Sequence, residues 1–137
     1  MDVPVKSNHA YLAGILDGEG SISVQRQRSG KRMLVYHKLL VRVCNTDYRL
    51  MAWLKASYGG SVRSERRSAD RKVIYHWTVS GVAATRALAG IEPHLIIKRE
   101  RALTALALGR LIGPRSGTVS DGLRAERERL SALIATR

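Results

Sequence analysis

Two glycines spaced four residues apart, Gly14 and Gly18, lie within a helical pattern of apolar residues and constrain how that helix packs. Residues four apart share one face of a helix, so this face, the glycine stripe, carries almost no side chains. A glycine inside a helix costs about 1 kcal/mol relative to alanine, so two of them need a reason. A stripe without side chains lets a second helix backbone approach closely. The spacing therefore indicates a tight helix–helix contact, either with another chain or inside a monomer.

Apolar and polar residues alternate in four further segments, and this period of two predicts β-strands. The four segments form two hairpins, turning at Ser29–Arg32 and Ser68–Asp70, and each hairpin follows a helix that ends in glycines. The predicted order is a helix at 8–18, strands Ser21–Arg28 and Tyr36–Asn45, a helix capped by Thr46 or Asp47, strands Ser61–Arg67 and Lys72–Ser80, a helix capped by Ser80 and ending at Gly90, a helix from Pro93 to Ile112, and a last helix Gly122–Thr136.

This order predicts an α+β fold with one antiparallel sheet and helices on one face. A chain of 137 residues supports one hydrophobic core, so we expect a single domain over 1–137, with its core at about 8–112 and a C-terminal helix at about 121–136.

The single cysteine, Cys44, excludes a disulfide framework. No apolar stretch is long enough for a membrane span and Met1–Ser7 lacks a signal-peptide core, so we expect an intracellular, soluble protein.

The net charge of +13 is concentrated in the middle of the chain. Residues 21–76 contain thirteen basic and three acidic residues, a net charge of +10. A dense basic region is typical of proteins that bind polyanions, because each neutralised phosphate releases condensed counterions. An anionic membrane would require an amphipathic helix beside the charge, whereas these basic residues fall in strand-like sequence. The charge therefore favours nucleic acid as the partner.

The nine residues LAGILDGEG, Leu12–Gly20, resemble the segment that names the LAGLIDADG homing endonuclease family. Most positions match that segment, and Glu19 replaces one carboxylate with another. The similarity extends from about Tyr11 to Leu111. It implies the αββαββα fold, with a saddle-shaped antiparallel sheet and here with extra C-terminal helices. Because the motif occurs once, it also implies a homodimer that cuts a long pseudo-palindromic site in double-stranded DNA, as in intron homing.

The family pairs two motif helices at the domain interface, which gives the glycine stripe a role. By resemblance, Asp17 is structural and caps the motif helix of the partner chain. The residues implied at the dimer interface are Tyr11, Ala13, Gly14, Asp17 and Gly18.

The resemblance also implies a set of catalytic residues. The carboxylate of Glu19, assisted by the carbonyl of Gly18, would bind Mg²⁺, for which oxygen ligands are suited. We expect Mn²⁺ to substitute and Ca²⁺ to bind without turnover. Asn45 corresponds to a polar residue that positions the nucleophilic water, and is shorter than the glutamine of many family members. Lys98 corresponds to a lysine that stabilises charge at the cleaved phosphate, and Arg49 to a residue lining the pocket.

The more polar side of the sheet, the polar face, is the predicted surface for reading base edges in the major groove. In the first hairpin it comprises Ser23, Gln25, Gln27, Tyr36, Lys38, Leu40 and Arg42, and in the second Ser61, Arg63, Glu65, His76 and Thr78. Cys44 shares this face and is expected to offer only apolar contact, as is Leu40. Basic residues near strand ends and turns are predicted to contact phosphates: Arg26, Arg28, Arg66, Arg67, Arg71 and Lys72.

Two other functions compete with DNA cleavage. A protein with the same motif could bind nucleic acid without cutting it, as an intron maturase or a transcription regulator. The combination of Glu19 and Lys98 favours cleavage, because a pure binder needs neither. A basic ribosome-associated or architectural protein is the third possibility, and it predicts no metal-binding carboxylate.

Overall fold

A computed structural model describes residues 6–29, 34–112 and 121–135 of the chain. Three features predicted from the sequence lie at least partly outside these ranges: the turn at Ser29–Arg32, the pair Gly113-Pro114, which is expected to break the helix that ends at Ile112, and the helix end at Thr136. The elements are α1 (Lys6–Glu19), β1 (Gly20–Ser29), β2 (Leu34–Asn45), α2 (Tyr48–Tyr58), β3 (Ser61–Glu65), β4 (Ile74–Ser80), α3 (Gly81–Ile91), a short 3-10 turn (Glu92–His94), α4 (Arg99–Ile112) and α5 (Asp121–Ala135).

Three of the predicted boundaries after α2 are wrong. The pairing of β3 with β4 runs from Ser61↔Thr78 to Glu65↔Ile74, so both strands are shorter than the sequence predicted. Pro93 does not open α4. It lies in the 3-10 turn, which is followed by an extended Leu95 before α4 begins.

The four strands form one antiparallel sheet in the order β1-β2-β4-β3. The two hairpins meet where β2 pairs with β4, as in the pair Val43↔Trp77. Both residues are fully buried, because their shared face of the sheet is covered by the helices. The predicted α+β fold, with an antiparallel sheet and helices on one face, is confirmed.

The hydrophobic core lies between that face of the sheet and the helices. Helix α1 contributes Leu12 and Leu16 to it, α2 contributes Met51 and Leu54, and Leu130 of α5 extends it. None of the helices in the described part of the chain has the length and apolar character that a membrane crossing requires.

Capping interactions determine where α2 begins and ends, as the sequence predicted. The carboxylate of Asp47 accepts a hydrogen bond from the backbone N–H of Arg49 at 2.9 Å. Gly59 and Gly60 follow the helix with φ of 76° and 85°, a region that other residues rarely adopt. Their sharp turn lets Trp77 donate from its indole nitrogen to the Gly59 carbonyl at 2.8 Å, which joins the helix end to β4.

Candidate active site and nucleic-acid interface

Helix α1 runs directly into β1, and the junction determines the position of Glu19. Glu19 is the last residue of the helix, not the first residue beyond it as the sequence suggested. At the next residue, Gly20, a Cβ atom would lie 2.8 Å from Cα of Leu16 and would also clash with that side chain. Glycine is therefore required for this tight transition, which leaves the Glu19 carboxylate exposed at the edge of the sheet.

Asn45, the last residue of β2, is hydrogen-bonded to Glu19. Its amide Nδ2 donates to Glu19 Oε2 at 2.9 Å. Its Oδ1 accepts from the backbone N–H of Asp47 at 2.8 Å, and this second bond fixes which end of the amide faces the carboxylate. Two residues that lie 26 positions apart in the sequence thus form one polar site.

Three hydrogen bonds join Asp17 to Ile96 and Lys98. The Asp17 carboxylate accepts from the backbone N–H of Ile96 at 2.8 Å and of Lys98 at 2.9 Å. In return, Lys98 Nζ donates to the Asp17 carbonyl oxygen at 2.9 Å. Burial opposes ionisation, but the backbone N–H groups of residues 96–98 outweigh it and hold the pKa of Asp17 below its usual value.

These bonds give Asp17 a role within its own chain, and they determine where Lys98 lies. Asp17 was expected to cap the motif helix of a partner, whereas its carboxylate caps the 96–98 segment of its own chain. The Lys98 carbonyl accepts the first helical hydrogen bond of α4, from Ala102 at 2.9 Å. Lys98 is therefore the residue immediately before the helix, and its ammonium group reaches the backbone two residues before Glu19.

Arg49 lies in the same cleft as Asn45 and is paired with Asp47. Its Nη2 is 2.7 Å from Asp47 Oδ2 and its Nε is 3.0 Å from Oδ1. These hydrogen bonds lower the pKa of Asp47 to about 2. From the sequence Asp47 was expected only as a helix cap, although its position between Asn45 and Arg49 was a signal for a site residue. All three line a cleft of about 650 Å³, together with Ser7, Asn8, Tyr11, Leu50 and Trp53.

The glycine stripe of α1 is open in the described structure. A Cβ atom added at Gly14 or Gly18 would meet no described atom within 4 Å. The alternative, a glycine-rich helix end packed inside a monomer, is therefore wrong for the described residues. Ala13, predicted at the interface, is instead fully buried in the core, because it lies on the side of α1 that faces the sheet.

Large apolar side chains are exposed near the stripe. Tyr11 is 58% exposed on α1 itself. Ile96 and Ile97, which are 87% and 75% exposed, belong to the segment that Asp17 holds against the end of α1. These two isoleucines were not predicted as surface residues, since one apolar run, Leu95–Ile97, contains both a buried leucine and exposed residues.

The strand register puts the predicted base-reading residues on the face opposite the helices. Cross-strand partners such as Gln25↔Lys38 and Arg42↔Thr78 lie side by side there. Arg26 and Arg28 alternate with these residues, so they belong to the helix side. Arg26 is paired with Glu128 of α5 at 2.9 Å, on the side away from the polar face, whereas the sequence predicted that it contacts a phosphate. Arg66, Arg67, Arg71 and Lys72 are exposed in the loop between β3 and β4.

Comparison of the structure with solved structures identifies the fold. The homing endonuclease I-CvuI, in complex with its target and with calcium, superposes with a TM-score of 0.80 at 20% identity, over 96% of this chain and 82% of I-CvuI. The archaeal intron-encoded homing endonuclease I-Vdi141I, complexed with DNA, gives a TM-score of 0.76 at 14% identity, over 95% of this chain and 83% of that one. This is the LAGLIDADG homing endonuclease fold.

A third solved structure with the LAGLIDADG fold is longer than this chain. I-SmaMI, bound to an uncleaved DNA target with calcium ions, superposes with a TM-score of 0.71 at 20% identity, over 94% of this chain but 45% of I-SmaMI. No protein-family model matches the sequence. A search of curated proteins finds no significant match either. The fold therefore persists where overall sequence similarity is low.

The LAGLIDADG segment offers oxygen atoms to a divalent cation at the end of α1. The Glu19 carboxylate has one oxygen bonded to Asn45, and the adjacent Gly18 supplies a backbone carbonyl. Hard oxygen donors of this kind suit Mg²⁺. The described residues contain no cluster of three or more histidine, cysteine or acidic side chains that could hold a metal by itself. The donor set fits Mg²⁺ only if further ligands come from outside one chain.

Proposed function

We propose that the protein is a site-specific, metal-dependent endonuclease that cuts double-stranded DNA as a homodimer. The observation that carries this proposal is the hydrogen bond between Asn45 and Glu19. It joins a carboxylate and an orienting amide at one end of the sheet, and the ammonium group of Lys98 is bonded to the backbone two residues before Glu19. Proteins that share the fold were crystallised with DNA. A protein that only binds DNA has no use for this group of side chains.

The open glycine stripe supports the dimer. Gly14 and Gly18 are exposed and are flanked by the apolar side chains of Tyr11, Ile96 and Ile97. Exposed apolar residues around a bare helical face fit a close contact with an identical surface related by a two-fold axis. Such a contact brings the two copies of Glu19 together, and supplies the second carboxylate that a single chain lacks.

Each polar residue at the end of α1 has a distinct role in the proposed reaction. The Glu19 carboxylate and the Gly18 carbonyl would hold Mg²⁺, which would supply charge neutralisation and an activated water. Asn45 orients the carboxylate and holds the attacking water. Lys98 faces the cleaved phosphate and stabilises its developing negative charge. Arg49 offers a guanidinium group to the DNA strand in the adjoining cleft. Mn²⁺ is expected to replace Mg²⁺, and Ca²⁺ to support binding alone.

The polar face supplies the contacts with DNA. Its strands carry alternate side chains outward, and this spacing suits base edges in the major groove. The exposed basic residues of the β3–β4 loop contact phosphates beside it. A homodimer places two such surfaces, related by a two-fold axis, on one duplex. The proposed target is therefore a long pseudo-palindromic site.

Selection from a DNA library tests the proposal. The purified protein is incubated with randomised pseudo-palindromic duplexes in Mg²⁺, in Mn²⁺, in Ca²⁺ and in EDTA, and the bound and cut products are sequenced. We expect one family of sites to be enriched by binding in Ca²⁺ and cut in Mg²⁺. Binding without any cutting in Mg²⁺ or Mn²⁺ would instead identify a maturase or regulator. A protein that selects no duplex under any condition contradicts the proposal.

A further inference from the structure

Three side chains on the polar face form a continuous hydrogen-bonded chain across β2, β4 and β3. Cys44 Sγ lies 2.9 Å from Nδ1 of His76, its cross-strand neighbour. His76 Nε2 lies 2.9 Å from Oε2 of Glu65. The other oxygen of Glu65, Oε1, is 3.5 Å from Nε of Arg67. From the sequence, we expected only an apolar contact from Cys44 and a base contact from His76.

The direction of each hydrogen bond in this chain follows from the carboxylate. An ionised Glu65 can only accept, so His76 donates from Nε2. In the neutral imidazole its Nδ1 then accepts a hydrogen bond from the Cys44 thiol. Both ring nitrogens of His76 are thus occupied within the protein, and neither is available to a base. The bond from His76 also holds the pKa of Glu65 below its usual value, so the acid stays ionised.

An ionised acid is unusual on a surface meant for DNA. Among the described strand residues of the polar face, Glu65 is the only carboxylate. Facing phosphates it would be repelled, and it becomes favourable only opposite a hydrogen-bond donor on a base. Its side chain is 35% exposed, so it can still be reached from outside the protein.

We propose that Glu65, held in place by His76, selects a C·G base pair at one position in each half-site. This inference rests on the proposed function. In the major groove cytosine presents the N4 amino group, which donates to a carboxylate, whereas guanine and thymine present acceptors there. Adenine presents N7 beside its amino group, and the carboxylate has no donor for it. Arg67, next to Glu65, carries the donors that O6 and N7 of the paired guanine accept. His76 is a positioning residue for this contact.

Selection of bound half-sites in Ca²⁺, with every position randomised, tests the assignment. We expect the unmodified protein to prefer C·G by about tenfold at one position per half-site, a typical value for a good base contact. Glu65→Gln should move the preference at that position to A·T, because a carboxamide matches N6 and N7 of adenine. Glu65→Ala should abolish the preference there and leave the other positions unchanged. The matched control, Glu126→Gln, removes the same charge from α5 and should change no position.

Two further variants separate positioning from a general effect on the fold. His76→Ala should relax the preference at the Glu65 position alone, and His76→Gln, which keeps a donor for Glu65, should restore part of it. A merely structural histidine would weaken binding to all sequences equally. The inference is overturned if both Glu65 variants bind with the base preferences of the unmodified protein. Failure of the unmodified protein to select any sequence is a different result, which overturns the proposed function and this inference with it.

Discussion

Asn45 Nδ2 lies 2.9 Å from Glu19 Oε2, so the last residue of β2 is bonded to the last residue of α1. A second hydrogen bond holds the same amide, because Asn45 Oδ1 accepts from the backbone N–H of Asp47. The amide therefore reaches the carboxylate in one orientation. A carboxylate that is oriented in this way holds a metal ion better than a freely rotating one, since less freedom is lost on binding.

The first prediction concerns this pair. Glu19→Gln keeps the shape of the side chain but removes its charge, so cleavage in Mg²⁺ should become undetectable while binding in Ca²⁺ survives. Asn45→Ala should slow cleavage by about 10- to 100-fold, the usual effect of losing a group that orients a metal ligand. Both are measured as single-turnover rates and affinities on one cognate duplex. Normal cutting by Glu19→Gln would show that the catalytic residue lies elsewhere.

Lys98 should contribute less than Glu19. Lys98→Met removes the ammonium group that donates to the Asp17 carbonyl, and keeps most of the side chain's length. A metal can still bind, so we expect cleavage to slow by about 10²- to 10³-fold, as when one charge-stabilising donor is lost. Arg99→Met changes the next residue in the same way and serves as the control, with a normal rate expected. An equally slow Arg99→Met would mean that the effect is general to this segment.

Gly14→Leu should separate the dimer without unfolding the chain. A Cβ atom at Gly14 meets no described atom within 4 Å in one chain, so the added side chain clashes only with a partner helix. Sedimentation should show that the Gly14→Leu protein is a monomer at concentrations where the unmodified protein is a dimer. The melting temperature of the variant should be close to that of the unmodified protein at dilutions where that protein is a monomer. A dimeric Gly14→Leu protein, or a monomeric unmodified protein, contradicts the proposed interface.

Gly20→Ala is the contrasting variant. Its Cβ atom would lie 2.8 Å from Cα of Leu16 inside the chain, so it should lower the free energy of unfolding in the dimer and the monomer alike. Comparison of the Gly14 and Gly20 variants thus distinguishes a steric clash between two chains from a steric clash within one chain.

Stability should fall as the solution is acidified, because of His37. Burial lowers the pKa of this histidine below 6.5, and outweighs the carboxylate of Glu128, which raises it. His37 Nε2 faces Glu128 at 3.1 Å, while the buried Nδ1 has no hydrogen-bond partner among the described residues. Protonation would therefore add a buried N–H without an acceptor. Arg26 and Arg127 also disfavour the charged form.

The sign of the effect follows from proton binding. Between pH 6.5 and the lowered pKa the unfolded chain binds more protons than the folded one, so stability decreases as the pH falls, by at most about 1.4 kcal/mol per pH unit. Above pH 6.5 this contribution is constant. Urea unfolding from pH 7.5 to 5.5 measures it, and His37→Leu should flatten the curve in that range. His94→Gln, at an exposed histidine, is the control. Equal slopes for the His37 variant and the unmodified protein would refute the assignment.

Local sequence determined most of the secondary structure of this protein. Alternation predicted both hairpins, and Asp47 with Gly59 and Gly60 predicted the ends of α2, because capping and positive φ depend on a few adjacent residues. The motif at Leu12–Gly20 indicated the fold, which the structure confirmed. Errors arose where pairing rather than propensity sets a boundary, as at the shortened β3.

Only the tertiary structure decided which side chains meet. No local pattern tells that Asn45 reaches Glu19, or that Asp17 caps residues 96–98 of its own chain, since each contact spans a long stretch of sequence and depends on how helices lie on the sheet. The same holds for Ala13, which is buried although its neighbour Gly14 is exposed. It also holds for Arg26, which forms an ion pair with Glu128. Periodicity assigns a residue to a face, whereas long-range packing determines what that face contacts.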